Sequence, residues 1–457
     1  MKKIHPALLL AIVIPLAVYM ALHLSFGYYT GTNYDAYQYT YALREGPHIA
    51  REEFANTSRV FVHALYYFTL RPLVVWGLDA WSVFAWSSML FSVLSGVLLY
   101  YVARNLGVGP WLALTATLLW GLSATGLYHA NIPEVYPMWF CSLFITVLAL
   151  WHKKSLLATL FYVLSFLVYV QSILIVPMFL WLGVKRGLKW GTVAVALGFA
   201  ALLLLLQTTG VSFMSHFARE RIYLEVASSD LEWVRANVVA LRQSGFIVPF
   251  LLAIPLALSY ATGTAVFLLL GIVPNLLFGL FWAKDQGAFL SPAAALAILL
   301  FVYLAGETKD YRPIAAVALL FTIPMFQYAW NEAAYDRSLG KVQVEFCLGA
   351  IEHMDGEMPL VSTALFPRWL YAFSLMERNS NLIKYSPWAF VDSQSAAMQT
   401  AKYELFPNDS PVYTDDSVHP DIVADLESEL VFSHSGVLSN GYPAELKLYR
   451  AVRRSKH

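Results

Sequence analysis

Long apolar runs separated by short polar turns dominate the first three quarters of the chain. A membrane-crossing helix needs about 20 mostly apolar residues. Stretches nearly free of charge that meet this need are 6–26, 82–103, 109–128, 134–152, 155–184, 190–209, 245–260, 262–282, 289–305 and 314–330. The 155–184 stretch is too long for one helix, with Gln171 in its middle and Pro177 beyond it. It reads as two short helices turning near Gln171, which brings the expectation to about eleven spans. The apolar run from Pro6 to Phe26 is too long for an ordinary signal-peptide core and has no clean small-residue cleavage site, so it reads as an uncleaved first span.

Orientation follows from the basic residues. Lys2 and Lys3, Arg104, Lys153 and Lys154, Lys185, Arg186 and Lys189, and Lys309 with Arg312 all fall on one side when the spans alternate from an inside N-terminus. The outer loops are then 27–80 and 210–244, and the C-terminus lies outside. The polar tail begins near Asn331 and is large enough for a small domain. Met358–Ala364 and Glu445–Val452 read as strands, and Trp369–Met376 and Asp421–Leu430 as helices. The expected fold class is therefore an α-helical polytopic membrane protein with a small C-terminal α/β outer domain. Its domains are 1–330, a transmembrane module, and 331–457, a soluble extracytoplasmic domain.

Composition agrees. The chain has 457 residues, of which 58% are hydrophobic and 13% charged, and its mean hydropathy is +0.57. Soluble domains carry roughly 25% charged residues, so much of this surface must face lipid. The formal net charge of zero gives no global field for nucleic acid. Cys141 falls inside a span, far from Cys347, which argues against a disulfide framework.

The candidate chemistry gathers at the outer edge. Asn33 can cap a helix from Tyr34 to Glu45, which places Asp35 and Tyr39 on a common face. A second, amphipathic helix is expected from Arg51 to Thr69, lying along the membrane surface. A carboxylate at the mouth of a membrane cavity can take the proton of an acceptor hydroxyl, which makes Asp35 the candidate base; an acid there also simply complements a helix N-terminus. The turn His129-Ala-Asn-Ile-Pro-Glu-Val-Tyr-Pro137 joins two apolar helices. Glu134 sits at a span edge, where an acid is costly unless solvated, paired or useful, although it too suits the helix dipole. His129 and Asn131 in the same turn are candidate substrate contacts. In the second outer loop Arg219 and Arg221 offer planar donor forks that suit a phosphate at the lipid boundary, or bulk anionic head groups, or Glu220 and Glu225. Ser229-Asp-Leu-Glu232 reads as a capping box opening a helix to Gln243. No Asp-x-Asp, His-x-x-x-His or Cys-x-x-Cys pattern supports a metal site, so the sequence requires no cofactor and leaves a divalent metal as an unsupported option.

Two segments carry a family resemblance. One is Ala80 to Gly107 (A-W-S-V-F-A-W-S-S-M-L-F-S-V-L-S-G-V-L-L-Y-Y-V-A-R-N-L-G). The other is L-W-G-L-S-A-T-G-L-Y-H-A-N-I-P-E-V-Y-P, from Leu119 to Pro137. Together they resemble the GT-C superfamily of multi-pass glycosyltransferases, in its protein O-mannosyltransferase-like branch. There a polar turn before E-V-Y opens the fourth span, as at Glu134-Val135-Tyr136, and an Asp early in the first outer loop matches Asp35. The tail sequences Glu357-Met-Pro-Leu-Val-Ser-Thr and Trp369-Leu-Tyr-Ala-Phe are similar to a strand and helix of the family's outer domain. The His-Pro-Pro-Gly-like turn common in that branch is replaced by Ala55-Asn-Thr-Ser-Arg59.

The resemblance implies an isoprenyl-phosphate sugar donor, transfer on the non-cytoplasmic face and inversion at the sugar carbon. The expected activity is transfer of mannose or another hexose from a polyprenyl-phosphate to a hydroxyl of a protein or lipid acceptor. Asp35 would be the base, Glu134 an orienting acid, and Arg219 and Arg221 the phosphate grip. The expected setting is a cell membrane, or the endoplasmic reticulum in a eukaryote, with membrane lipid as a partner and no nucleic acid. A transporter or lipid flippase is the alternative. It would show mid-membrane ionisable residues or a repeated half, and neither is visible. A non-catalytic scaffold using the tail as a binding module is the third reading.

Overall fold

In the computed structural model, the described residues are 5–27, 36, 39–40, 43, 60–132, 134–185, 231–245, 247–259, 262–281, 286–308, 310–354, 360–363, 389–391, 411–415 and 426–453. The chain forms two compact units: Met1–Ser25 with Gly46–Ala333, and Phe26–Glu45 with Ala334–His457.

The first unit is helical. Its elements are α1 (Pro6–Phe26), α2 (Val60–Val75), α3 (Ala80–Asn105), α4 (Pro110–Gly121), α5 (Ala124–Ala130), α6 (Tyr136–Trp151), α7 (Ser155–Val168), a 3₁₀ turn (Val170–Ile175), α8 (Val176–Lys185), α9 (Leu231–Gln243), α10 (Ile247–Ser259), α11 (Gly263–Phe281) and α12 (Gln286–Gly306). Every residue of α12 from Leu290 to Ala305 is buried. A helix that is apolar all round belongs in the middle of a bundle, and α12 packs on α11, α10, α4 and α9. Outer helices instead leave large apolar side chains exposed, among them Leu9, Leu16, Leu90, Leu160, Leu251, Val266 and Leu320. That surface is solvated by hydrocarbon, and the chain is an integral membrane protein.

Without a hydrophobic drive between helices in lipid, small residues set the close contacts. α3 buries Ser88, Ser92, Ser95 and Gly96 along one face. Thr117 of α4 donates to the Gly96 carbonyl at 3.1 Å, and the Cys141 thiol of α6 donates to the Phe91 carbonyl at 3.1 Å. Polar residues serve as cross-links. The predicted turn near Gln171 is present: α7 ends at Tyr169, whose backbone is extended, and the 3₁₀ turn follows. There Gln171 donates to Asn275 Oδ1 at 3.1 Å, and Asn275 donates to the Gly271 carbonyl at 2.9 Å within α11.

Among the described residues, four helices are long and apolar enough to cross a membrane, or five if the α9–α10 elbow, bent by 86°, counts as one span. Other predicted spans are shorter apolar helices, and 190–209 lies outside the described residues. The stretch 109–128 differs from a single span. It breaks after Gly121, and Ser123 caps a new helix by accepting the Gly126 N–H at 3.1 Å. The expected surface helix 51–69 is observed from Val60 onward and runs on to Val75; 51–59 lies outside the described residues.

The chain passes from the first unit to the second in one 42-residue helix, α13 (Arg312–His353). The expected polar tail from Asn331 therefore starts as helix. No Pro interrupts Asn331–His353, and its Ala, Glu, Leu, Lys, Arg and Gln residues favour helix enough to carry Gly340 and Gly349. A five-stranded sheet follows, in the order β2-β1-β3-β5-β4, made of β1 (Leu360–Thr363), β2 (Ala389–Val391), β3 (Val412–Asp415), β4 (Leu426–Val437) and β5 (Pro443–Arg453). β1 runs parallel to β2 and β3, while β5 is antiparallel to β3 and β4. The strands expected at 358–364 and 445–452 are observed. The helix expected at 421–430 is not: from Leu426 the chain is strand, because Leu426–Val437 pairs along its length with β5 and that ladder overrides local helix preference. The helix expected at 369–376 lies outside the described residues. Phe432 of β4 stacks on Phe346 and His353 of α13, with ring centroids 5.7 and 4.9 Å apart.

Gly126 is required by close approach. A Cβ there would stand 2.5 Å from the Trp120 carbonyl oxygen and 2.8 Å from that of Gly121. Gly126→Ala should therefore lower stability by about 1–3 kcal/mol, read as melting temperature in detergent. Gly109→Ala, at a helix start with open space around it, should change it little. Equal effects of the two would contradict this packing.

Candidate active site

The site is built at the start of α6. Pro137 lies in the first turn of that helix, where its missing N–H costs nothing. The preceding turn folds inward, so that Asn131 is 0%, Glu134 4% and His129 6% exposed. Three of the residues singled out by sequence are thus brought into one buried turn. Ser88 of α3 holds it: its hydroxyl accepts the Glu134 N–H at 3.2 Å and donates to the Glu134 carbonyl at 3.3 Å. Glu134 Oε2 accepts the Val135 N–H at 2.9 Å. The carboxylate therefore sits at a helix N-terminus, where the dipole favours negative charge. That local role and a role toward a ligand are compatible, because a carboxylate has about four acceptor sites.

Asn131 donates to the Leu127 carbonyl at 3.3 Å, closing the end of α5, and its Oδ1 has no hydrogen-bond partner among the described residues. His129 packs its ring on Tyr136 at 4.4 Å. Tyr136 in turn donates to the Tyr169 hydroxyl at 3.0 Å, and Trp139 Nε1 donates to Ser172 at 2.6 Å. The turn is thereby tied to the 3₁₀ break.

Asp35, Arg219 and Arg221 lie outside the described residues. Tyr39 is buried, 1% exposed, in the second unit. The helix expected over 34–45 is seen at Ala36, Tyr39, Thr40 and Leu43, where Thr40 donates to the Ala36 carbonyl at 2.8 Å. Among the described residues there is no cluster of three metal-ligating side chains.

Three further residues escaped sequence reading. Ser88 is one small residue among several on α3, and only the fold shows which one meets Glu134. Tyr66 of α2 is 2% exposed and within electrostatic reach of Glu134; a Tyr in an apolar helix reads as packing. Arg242, at the end of α9, stacks its guanidinium 3.9 Å from the centre of the Tyr328 ring, which orients a cation without an acid. Its signal was a basic residue in the last turn of an amphipathic helix.

No family model matches the chain, and no curated protein matches it. The fold is shared with solved structures. The crystal structure of ArnT from Cupriavidus metallidurans in the apo state superposes with a TM-score of 0.52 at 12% identity, covering 96% of this chain and 97% of that one. The crystal structure of ArnT from Cupriavidus metallidurans bound to undecaprenyl phosphate gives 0.52 at 13% identity, with the same coverage. At this identity the likeness establishes the fold.

His129 lies in the last turn of the short α5, before the connection to α6, and burial lowers its pKa from 6.5 to about 3. The unfolded chain binds a proton below about pH 6.5, whereas the folded protein does so only near 3. Stability therefore falls as pH drops through that window, while above it this group adds no pH dependence. In His129→Gln the melting temperature should fall less than in wild type between about pH 7 and about pH 5. Identical slopes would contradict the burial of a neutral imidazole.

Proposed function

We propose that this chain is a GT-C-type integral membrane glycosyltransferase that uses a polyprenyl-phosphate sugar. The observation that carries the reading is the fold likeness over nearly the whole of both chains to a protein one of whose structures holds undecaprenyl phosphate. The buried acidic turn at Glu134 supports it, since an acid inside an apolar bundle is expensive unless it is paired or useful. The sugar is mannose or another hexose, and the acceptor is a hydroxyl of a protein or lipid on the extracytoplasmic side.

In this reading the Asp35 carboxylate takes the acceptor's proton, and the acceptor oxygen forms a bond to the sugar's anomeric carbon. The bond from that carbon to the phosphate oxygen breaks on the opposite face, inverting the centre, and the lipid phosphate leaves with the electron pair. The leaving group needs charge stabilisation more than protonation, which falls to Arg219 and Arg221. Glu134 orients the acceptor or sugar, with His129, Asn131 and Tyr39 as further substrate contacts. The apolar cleft lined by Phe144, Ile175, Met178, Phe267 and Leu296 has the chemistry for a hydrocarbon tail.

The test offers purified protein a panel of polyprenyl-phosphate hexoses and measures released polyprenyl phosphate. Asp35→Asn should reduce turnover by about 10²-fold or more, and Arg221→Ala should weaken donor binding about tenfold, near 1.4 kcal/mol. Wild-type turnover in Asp35→Asn would refute the base assignment.

One feature favours the transporter reading: the helix broken at Tyr169 in an otherwise apolar segment, a device transporters use at substrate sites. Here the break carries no charged residue, and Gln171 is committed to Asn275. Movement of lipid-linked sugar across vesicles without release of polyprenyl phosphate would decide for transport.

A further inference from the structure

A second feature of the first unit lies behind the Glu134 turn. The α9–α10 elbow docks on the α4–α5 break: Thr125 donates to the Gln243 carbonyl at 3.2 Å, and a Cβ on Gly245 would meet Ser123 at 3.1 Å. Between them is a small cavity lined by Ser92, Ser123, Thr125, His129, Ser244 and Ser291. Tyr19 also reaches its wall, with its hydroxyl committed to the Gly121 carbonyl at 2.9 Å.

His129 is 6% exposed, and both its ring nitrogens are buried with no hydrogen-bond partner among the described residues. Leaving a buried donor and acceptor unmade is costly, and native proteins satisfy such groups with protein or ordered water. The cavity leaves about 10 Å³ for the centre of a water-sized molecule, which is room for one. Among the described residues no Lys, Arg, Asp or Glu lines it, which suits an uncharged occupant.

The polarity of the walls is also fixed. Ser123 donates to the Trp120 carbonyl at 2.8 Å, Ser244 to the Leu241 carbonyl at 3.2 Å and Thr125 to Gln243. Their protons are committed to backbone, so toward a ligand these hydroxyls can act only as acceptors, and the Ser123 oxygen also accepts the Gly126 N–H at 3.1 Å. A neutral imidazole supplies one N–H. The missing partner is thus a molecule that accepts one hydrogen bond and donates two.

We propose that His129 and the surrounding hydroxyls form a binding site for a single water, which joins the α9–α10 elbow to the turn that carries Glu134. The site stands whether or not the protein is a transferase.

The test is a cryo-EM map of the full chain in lipid nanodiscs, without added substrate, at a resolution that shows waters. One peak is expected within hydrogen-bonding distance of a His129 nitrogen and of the Ser123 or Ser244 hydroxyl; an empty cavity overturns the proposal. Two variants give an independent reading. His129→Gln keeps a donor and an acceptor and should melt close to wild type, while His129→Leu strands the water's partners and should melt several degrees lower. His129→Leu melting at or above wild type means that the cavity is dry, and overturns the site.

Discussion

A turn that carries a carboxylate into an apolar bundle must be held by its surroundings, and in this protein one serine anchors its backbone while the Val135 N–H meets the carboxylate. Ser88 bonds both backbone groups of Glu134, which fixes where the chain enters α6. From that anchor follow the inward fold of the 129–135 turn, the stacking of His129 on Tyr136 and the tie from Tyr136 to Tyr169. The serine is available because α3 presents small residues where it meets α6, the same feature that lets the helices approach. Packing and site are thus one arrangement.

The bundle treats its other polar groups in the same way. Gln171 answers Asn275, Trp139 answers Ser172, and Thr117 answers Gly96. Each pair joins two elements that apolar contact alone would leave free to slide in lipid. Arg337 is the counterpart in the second unit: it is 1% exposed and donates to the Gly27 carbonyl at 3.0 Å, tying the segment after α1 to α13 within that unit.

Much of the helical layout was legible because apolar runs and turn residues mark spans directly. The break near Gln171 was legible because a polar residue interrupts a run too long for one helix. The break at Gly121–Ser123 was not, because Gly, Ser and Thr occur throughout membrane helices and only the approach of Gly126 to the Trp120 carbonyl shows that the chain must turn. The strand at Leu426–Val437 was misread because alternation over its first residues is weak, and the hairpin that follows pairs them with the far end of β5, Leu426 with Arg453 and Leu430 with Tyr449. At the site, Glu134 announced itself as an acid at a span edge. Ser88 and Tyr66 could not, since their meaning comes entirely from what the fold brings beside them.

The central claim is that the buried turn at Glu134 belongs to a site that receives a polyprenyl-phosphate sugar. A structure of the full chain with undecaprenyl phosphate bound tests it most directly. The account predicts phosphate density at the outer boundary of the first unit, next to Arg219 or Arg221, with the space beyond the phosphate opening toward Glu134. Lipid phosphate bound on the opposite side of the membrane, or with no opening toward that turn, would contradict it.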